Sequence, residues 1–264
     1  MEKLFHHEKD HNLISAQEIV PIIMEFIAPK SVLDVGCGIG SWLSVYKQYI
    51  KTDNYLGIDA EYVDENLLKI PKDHFIKHDL RDIKNIPPPP YTIKLDNITK
   101  KFDLTQCLEV AEHLPNFTAD DLVNFLTKTS DVILFSAAIP GQTGENHINE
   151  QWPDYWEKIF NKYDYIFFDP FRKKIWNNPN IAWWYKQNIL LALHKNIIAD
   201  FQNKISNLQK FDQVYVHPEC LKMYTSNNSS IIDSNQTNVK KRKFTLLKKI
   251  IKMTLPYGIV RKFL

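Results

Sequence analysis

Only three cysteines, Cys37, Cys107 and Cys220, occur in the 264 residues, and no two share a redox or metal-ligand spacing. That excludes a disulfide scaffold, a zinc ribbon and a Cys-x-x-Cys oxidoreductase. A bridge between Cys37 and Cys107 is not expected in a reducing compartment. No apolar stretch approaches the ~18 residues needed to span a bilayer. The polar, His-rich start from Met1 to Asn12 has no apolar core of a secretory signal. The expected location is therefore cytoplasmic. Apolar residues are not scarce: they make up 44% of the chain against 24% charged, which suits a globular protein with a sizeable core rather than a disordered one.

The formal charge of +2 hides an asymmetry. Nine of the 33 basic residues lie after Val239 with no acidic residue among them, leaving 24 against 31 acidic ones before it, a net of −7. A nucleic-acid binder normally carries its basic patch on the folded body, so nucleic acid is a poor expected partner. Phe244, Leu247, Ile251 and Leu255 recur at helical spacing between lysines. A basic amphipathic helix over 240–255 could lie on an anionic membrane face.

Apolar periodicity predicts a helix from Leu13 to Ile27, with Ser15 as N-cap and Pro29 as its stop. Strands are expected at 31–36, 55–59, 74–78, 102–108, 131–137, 165–168 and 188–194, and further helices at 39–50, 118–129 and 150–163. Thr118 is the expected cap of the helix at 118–129, and Pro153 must fall in the first turn of the last one. Alternating strands and helices imply an α/β fold with a mainly parallel sheet. Asn85 to Lys100, with prolines at 87–90, reads as a surface insertion. Residues 224–240, rich in Ser, Asn, Gln and Thr, read as a linker. The expected organisation is one domain over 1–208 and an extension over 209–264.

Three of the seven glycines, Gly36, Gly38 and Gly40, directly follow a strand and open a helix. Clustering there suggests a tight turn and a backbone that closely approaches a ligand. The run Asp34-Val-Gly-Cys-Gly-Ile-Gly40 is one residue short of a dinucleotide fingerprint, and no Gly-Lys-Ser/Thr follows to make a P-loop. Asp59 ends the next strand, where its carboxylate can accept hydrogen bonds from both hydroxyls of a ribose.

These residues resemble motif I of the class I S-adenosylmethionine (SAM) methyltransferases, and three further stations match in order. Asp59 stands where that family binds the ribose, Asp79 and Leu80 where it binds the adenine, and Phe102-Asp-Leu through Cys107, Leu108, Glu109 and Val110 where it closes the methionine end. The resemblance covers roughly residues 15–194. It implies a doubly wound seven-stranded sheet, mainly parallel with the last strand antiparallel, and a SAM site formed by Asp34, Gly36, Cys37, Gly38, Gly40, Asp59, Asp79, Leu80, Cys107 and Leu108.

After the fourth strand comes Glu109-Val-Ala-Glu112-His113, and after the fifth comes His147. On one helical turn positions i, i+3 and i+4 share a face. Two carboxylates and two imidazoles at the carboxyl edge of a sheet could hold Mg²⁺ or Mn²⁺ with positions left for a substrate oxygen. The pattern resembles the metal-binding Glu-x-x-Glu-His of ubiquinone-pathway O-methyltransferases, and that of small-RNA 2′-O-methyltransferases, which add a later His. The other reading takes His113 or His147 as a general base with no metal. No Asn/Asp-Pro-Pro-aromatic motif follows the fourth strand, which favours oxygen over a base amino group as the methyl acceptor.

Five of the six tryptophans lie between Trp152 and Trp184. Trp152, Arg172, Trp176, Trp183, Trp184 and Tyr185 either present aromatic faces and a cation to a sugar or phosphorylated sugar, or form a core under a long loop. The run from Gly141 through His147, Asn149, Glu150 and Trp152 resembles methyltransferases of bacterial surface-polysaccharide clusters. That resemblance implies O-methylation of a sugar hydroxyl, or of a phosphate- or phosphoramidate-type substituent, on a capsule or lipopolysaccharide precursor. It would place the protein peripherally at the inner membrane face. The alternatives are an RNA 2′-O-methyltransferase and a non-catalytic SAM-binding scaffold.

Overall fold

The computed structural model describes residues 13–51, 53–86, 93–95, 98–201 and 211–232. The basic run at 240–255 lies outside the described residues. Helix α1 (Leu13–Phe26) precedes β1 (Val32–Val35), α2 (Ser41–Tyr46), β2 (Tyr55–Asp59) and β3 (Phe75–Lys77). A short hairpin of β4 (Ile93–Leu95) and β5 (Ile98–Lys100) follows, then β6 (Leu104–Leu108), α3 (Ala119–Thr129), β7 (Val132–Ser136), α4 (Pro153–Asn161) and β8 (Tyr165–Phe168). The last elements are α5 (Arg172–Ile175), α6 (Trp183–Asn188), β9 (Leu190–His194) and α7 (Pro218–Ile232).

Seven strands form one sheet in the order β3-β2-β1-β6-β7-β9-β8, with β9 antiparallel to both of its neighbours and the other pairings parallel. The strand alternation explains the double winding. Val32, Leu104 and Leu134 face a core shared with α1, α2 and α6, while Leu33, Val35, Ile133 and Phe135 face a second core under α3 and α4. Strand order reverses between β1 and β6. At such a switch point the loops leaving neighbouring strands part and open a crevice at the carboxyl edge. Among the described residues, no helix is long and apolar enough to cross a membrane.

Local expectations are corrected in several places. Ser15 lies inside α1, where its hydroxyl accepts the Ala182 N–H at 2.9 Å. Helix α2 is shorter than 39–50 because Gly40 sits at its N-cap in the left-handed region. Thr118 stands at the N-cap of α3 as expected, but its hydroxyl makes no capping bond and donates to the Pro115 carbonyl at 2.8 Å. The insertion at 85–100 contains the β4–β5 hairpin. Trp183 and Trp184, expected between the last two strands, lie there on α6. The stretch expected as a linker begins on a helix, since α7 runs through Ile232.

Residues 211–225 pack on the domain. The Phe211 N–H bonds the Phe167 carbonyl at 3.0 Å, the His217 N–H bonds Gln187 Oε1 at 2.8 Å, and the Tyr224 ring lies over Gly141.

Candidate active site

The glycine loop turns at the carboxyl end of β1. Gly36, Gly38 and Gly40 all have positive φ. At Gly36 (φ +82°) a Cβ would lie 2.2 Å from Val110 Cγ2, so no other residue fits without moving the chain after β6. The loop is tied to β2. Gly36 and Cys37 N–H bond the Ile58 carbonyl, and the Gly38 N–H donates to Asp59 Oδ2 at 2.6 Å. Asp59 Oδ1 accepts from the Ala60 N–H at 2.7 Å and the Tyr62 hydroxyl at 2.6 Å. Sequence reasoning missed Tyr62, though it stands three residues after Asp59.

Asp34 is buried beside Gln106, its partner in the β1–β6 register. Burial, reinforced by the Asp59 charge and opposed by the neighbouring Gln106 amide, pushes its carboxyl up to about 7. Asp79 caps the turn from Leu80 to Asn85 and pairs with Arg81, whose Nε donates at 2.9 Å. Its carboxyl is held below the usual range, first by that hydrogen bond. Cys37 packs against Gly57 with its thiol on the Gly38 carbonyl, Leu108 faces the first core, and Cys107 faces the second. Cys37, Cys107 and Cys220 are all free thiols.

The acidic motif after β6 divides in two. Glu109 has φ +55°, and a 3₁₀ turn begins only at Ala111, so Glu109 and Glu112 do not share one α-helical turn. Glu109 instead accepts from Asn188 Nδ2 at 3.0 Å and Gln142 Nε2 at 3.1 Å. Asn188 and Gln187 also donate to Gln142 Oε1, both at 2.9 Å. This buried amide network joins the loops after β6 and β7 to the entry of β9. Nothing local in the sequence marks it, because its members lie up to 79 residues apart.

Glu112 is fully buried, and neither carboxylate oxygen has a hydrogen-bond partner. Burial, with the neighbouring Glu109 charge, pushes its carboxyl well up. The His113 and His147 rings meet edge to face with centroids 4.9 Å apart. Among the described residues, Glu112, His113 and His147 are the group whose potential ligand atoms all lie within 4.8 Å of one another. The four-residue metal set expected from the sequence thus becomes a three-residue cluster with Glu109 turned aside. One carboxylate and two imidazoles suit a divalent cation with open positions.

Of the six expected acceptor residues, Arg172 and Tyr185 are buried in the chain itself, and the four tryptophans are half-buried. Arg172 is 1% exposed; it bonds Asp169, the Gln187 carbonyl and the Gln213 carbonyl, with its guanidinium 4.4 Å over the Tyr215 ring. Trp176 and Trp183 pack on His217. Trp184 lies against Trp183 and Tyr185, and Tyr185 is buried against Trp42. Trp152 is half-buried at the N-cap of α4.

Residues 10–136 match the family described as a methyltransferase domain. No curated protein matches the chain. An O-methyltransferase family protein from Burkholderia thailandensis superposes with a TM-score of 0.50 at 11% identity, over 72% of this chain and 60% of that one. A Nostoc punctiforme protein provisionally assigned as an O-methyltransferase gives 0.49 at 15%, over 70% and 57%. SAM-bound magnesium protoporphyrin IX methyltransferase from Synechocystis gives 0.47 at 17%, over 74% and 86%. Identities this low speak to the fold alone, and the chain spans under two thirds of the Burkholderia and Nostoc proteins. Over residues 10–136 the chain is thus similar to a methyltransferase domain, carried on a seven-stranded sheet.

Proposed function

We propose that the protein transfers a methyl group from SAM to a hydroxyl oxygen, assisted by a divalent cation held by Glu112, His113 and His147. The observation that carries this reading is the buried, partnerless Glu112 carboxylate facing two imidazoles. Burying a charge without partners is costly, and such cost at a crevice is a sign of function. Two imidazoles and one carboxylate fit Mn²⁺ better than Mg²⁺, which prefers oxygen ligands. When bound, such an ion would acidify and orient the acceptor hydroxyl.

The glycine loop, Asp34 and Asp59 fit SAM, which when bound supplies an electrophilic methyl on a sulfonium. Asp59 is set to receive the ribose hydroxyls by the bonds that already orient its carboxylate. Gly36 lets the backbone approach the ligand. Displacement is in line, so the protein's main task is positioning two bound partners.

Asp34 gives a pH signature. Its folded value of about 7 lies above its ordinary one. In cofactor-free protein its contribution to stability is therefore present below about pH 4 and lost as pH rises through 7. Cationic SAM favours the ionised carboxylate. Its affinity should rise toward pH 8, approaching about tenfold per unit below the folded value, and Asp34→Asn should flatten that slope. Calorimetric titration at several pH values checks this; a flat wild-type profile removes Asp34 from the cofactor's charge balance.

For the acceptor, the resemblance of the 141–152 run supports a sugar hydroxyl or phosphate-type substituent of a surface-glycan precursor. The Glu-His-His grouping also suits an RNA 2′-hydroxyl, against which the acidic body weighs. Purified protein with labelled SAM should mark extracted surface polysaccharide and leave total small RNA unmarked. Exhaustive chelation should stop turnover, and Mn²⁺ should restore it. Label in RNA would transfer the reading to that acceptor. Full turnover in chelator would leave a histidine as general base. Tight SAM binding with no turnover on any acceptor would favour a scaffold.

A further inference from the structure

We propose that Glu150 is the positioning residue that sets the tautomer of His147 and holds the loop between β7 and α4 in its working shape. The inference rests on the reading that His147 serves the acceptor hydroxyl, as a ligand or as a proton acceptor. Glu150 Oε2 accepts the Gly141 N–H at 2.7 Å, and Oε1 accepts the Thr143 N–H at 2.7 Å and meets His147 Nδ1 at 3.0 Å. Both backbone partners are obligate donors. A carboxylate has no proton to give, so Nδ1 must carry one. The lone pair of neutral His147 is thereby confined to Nε2. A ring nitrogen can bind a metal or accept a proton only through its lone pair.

The loop has a reason to need this hub. Thr143 (φ +58°) and Asn146 (φ +57°) are both in the left-handed region, as is Gly141. Left-handed residues with side chains raise the energy of a loop unless its surroundings compensate. Three hydrogen bonds to one half-buried carboxylate provide that compensation. On the far side of His147, the Ile148 and Asn149 N–H groups bond the Glu112 carbonyl at 2.9 and 3.0 Å. The imidazole is thus tied to Glu150, and the backbone that follows it is tied to the Glu112 carbonyl. Gly144 completes the seat, because a Cβ there would lie 2.3 Å from His147 Nε2.

In Glu150→Gln one oxygen becomes an NH₂ group. At either place it faces a backbone N–H, Gly141 in one orientation and Thr143 in the other, and in the second it also donates to Nδ1, so the His147 proton is no longer confined to Nδ1. The ¹⁵N spectrum of the full-length protein at about pH 8, where an ordinary histidine is neutral, reads the tautomer directly. The His147 signals are assigned by their loss in His147→Gln. Wild type should show the proton on Nδ1 alone, and Glu150→Gln should show a mixture of the two tautomers. Mn²⁺ affinity, read by its electron paramagnetic resonance, should fall about 10- to 100-fold, with SAM affinity kept. A wild-type His147 protonated on Nε2 overturns the proposal, and a Glu150→Gln that keeps the wild-type tautomer passes the decision to Gly144→Ala.

If Glu150→Gln does not fold, Gly144→Ala decides. It displaces the ring while Glu150 keeps Gly141 and Thr143. A mixed tautomer in that variant supports the proposal, and an unchanged wild-type spectrum overturns it. Failure of wild type to bind Mn²⁺ would remove the metal from the proposed function, while the tautomer would still decide the role of Glu150.

Discussion

Glu112→Gln is expected to abolish Mn²⁺ binding and to lower methyl transfer by about 10²-fold or more, since a bound ion supplies several kcal/mol of stabilisation, while making the metal-free protein more stable. The two effects have one cause. Glu112 is fully exposed to neither water nor donors: both oxygens are buried without partners, and the Glu109 carboxylate stands nearby. An unsatisfied buried charged group costs roughly 1–3 kcal/mol or more. Glutamine keeps the shape and removes the charge. The fold around the site should survive, because Ile148 and Asn149 bond the Glu112 backbone carbonyl, not its side chain. A gain of even 1 kcal/mol raises the thermal midpoint by roughly 2–4 °C in a chain of this size.

The pH dependence of that gain has a definite sign. Burial raises the folded carboxyl above its ordinary value. Its contribution to stability is therefore present below the ordinary carboxylate range and lost as pH rises toward the folded value. The stability gap between variant and metal-free wild type should widen from acid toward neutral pH, and adding Mn²⁺ should close it by stabilising wild type alone. Thermal melts across pH with and without Mn²⁺ measure this. A variant that melts lower than wild type at neutral pH, or still binds Mn²⁺, would sink the account.

The parts of this site that were legible in the sequence are those whose signals are local. Asp34 to Gly40 and Asp59 sit at strand ends marked by short apolar runs and by clustering of a scarce residue, and the structure places them on adjoining strands β1 and β2. His113 and His147 were legible as residue types at sheet ends, and they do meet. Glu109 was misplaced because helical spacing was assumed for a stretch that turns at φ +55°. Its real partners, Gln142 and Asn188, come from loops that only the sheet order brings together. Glu150 could have been found, since a carboxylate three residues after a candidate histidine is a local pattern. Arg172 and its tryptophans could not have been placed, because their partners lie at 211–217, a stretch with no signal tying it to the domain.

That last misplacement yields the second large prediction, that Arg172→Leu will cost stability rather than substrate affinity. The guanidinium is 1% exposed and has no face left for a ligand. Nε reaches Asp169 at 2.9 Å, Nη1 the Gln187 carbonyl at 3.1 Å and Nη2 the Gln213 carbonyl at 3.0 Å, and the Tyr215 ring covers its plane at 4.4 Å. Removing it strands the Asp169 carboxylate and two carbonyls, and loosens residues 211–217 from α5 and α6. Breaking a buried ion pair from one side costs about 3–5 kcal/mol, and at roughly 2–4 °C per kcal/mol for a chain of this size the midpoint should fall by roughly 6–20 °C. Adding Asp169→Asn to Arg172→Leu should recover part of the loss, because the stranded charge is then gone. Below its lowered midpoint, the single variant should keep the wild-type KM for whichever acceptor the labelling assay identifies. The opposite pattern, an unchanged midpoint with a raised KM, would return Arg172 to the acceptor site and mean that residues 211–217 lift away when substrate binds.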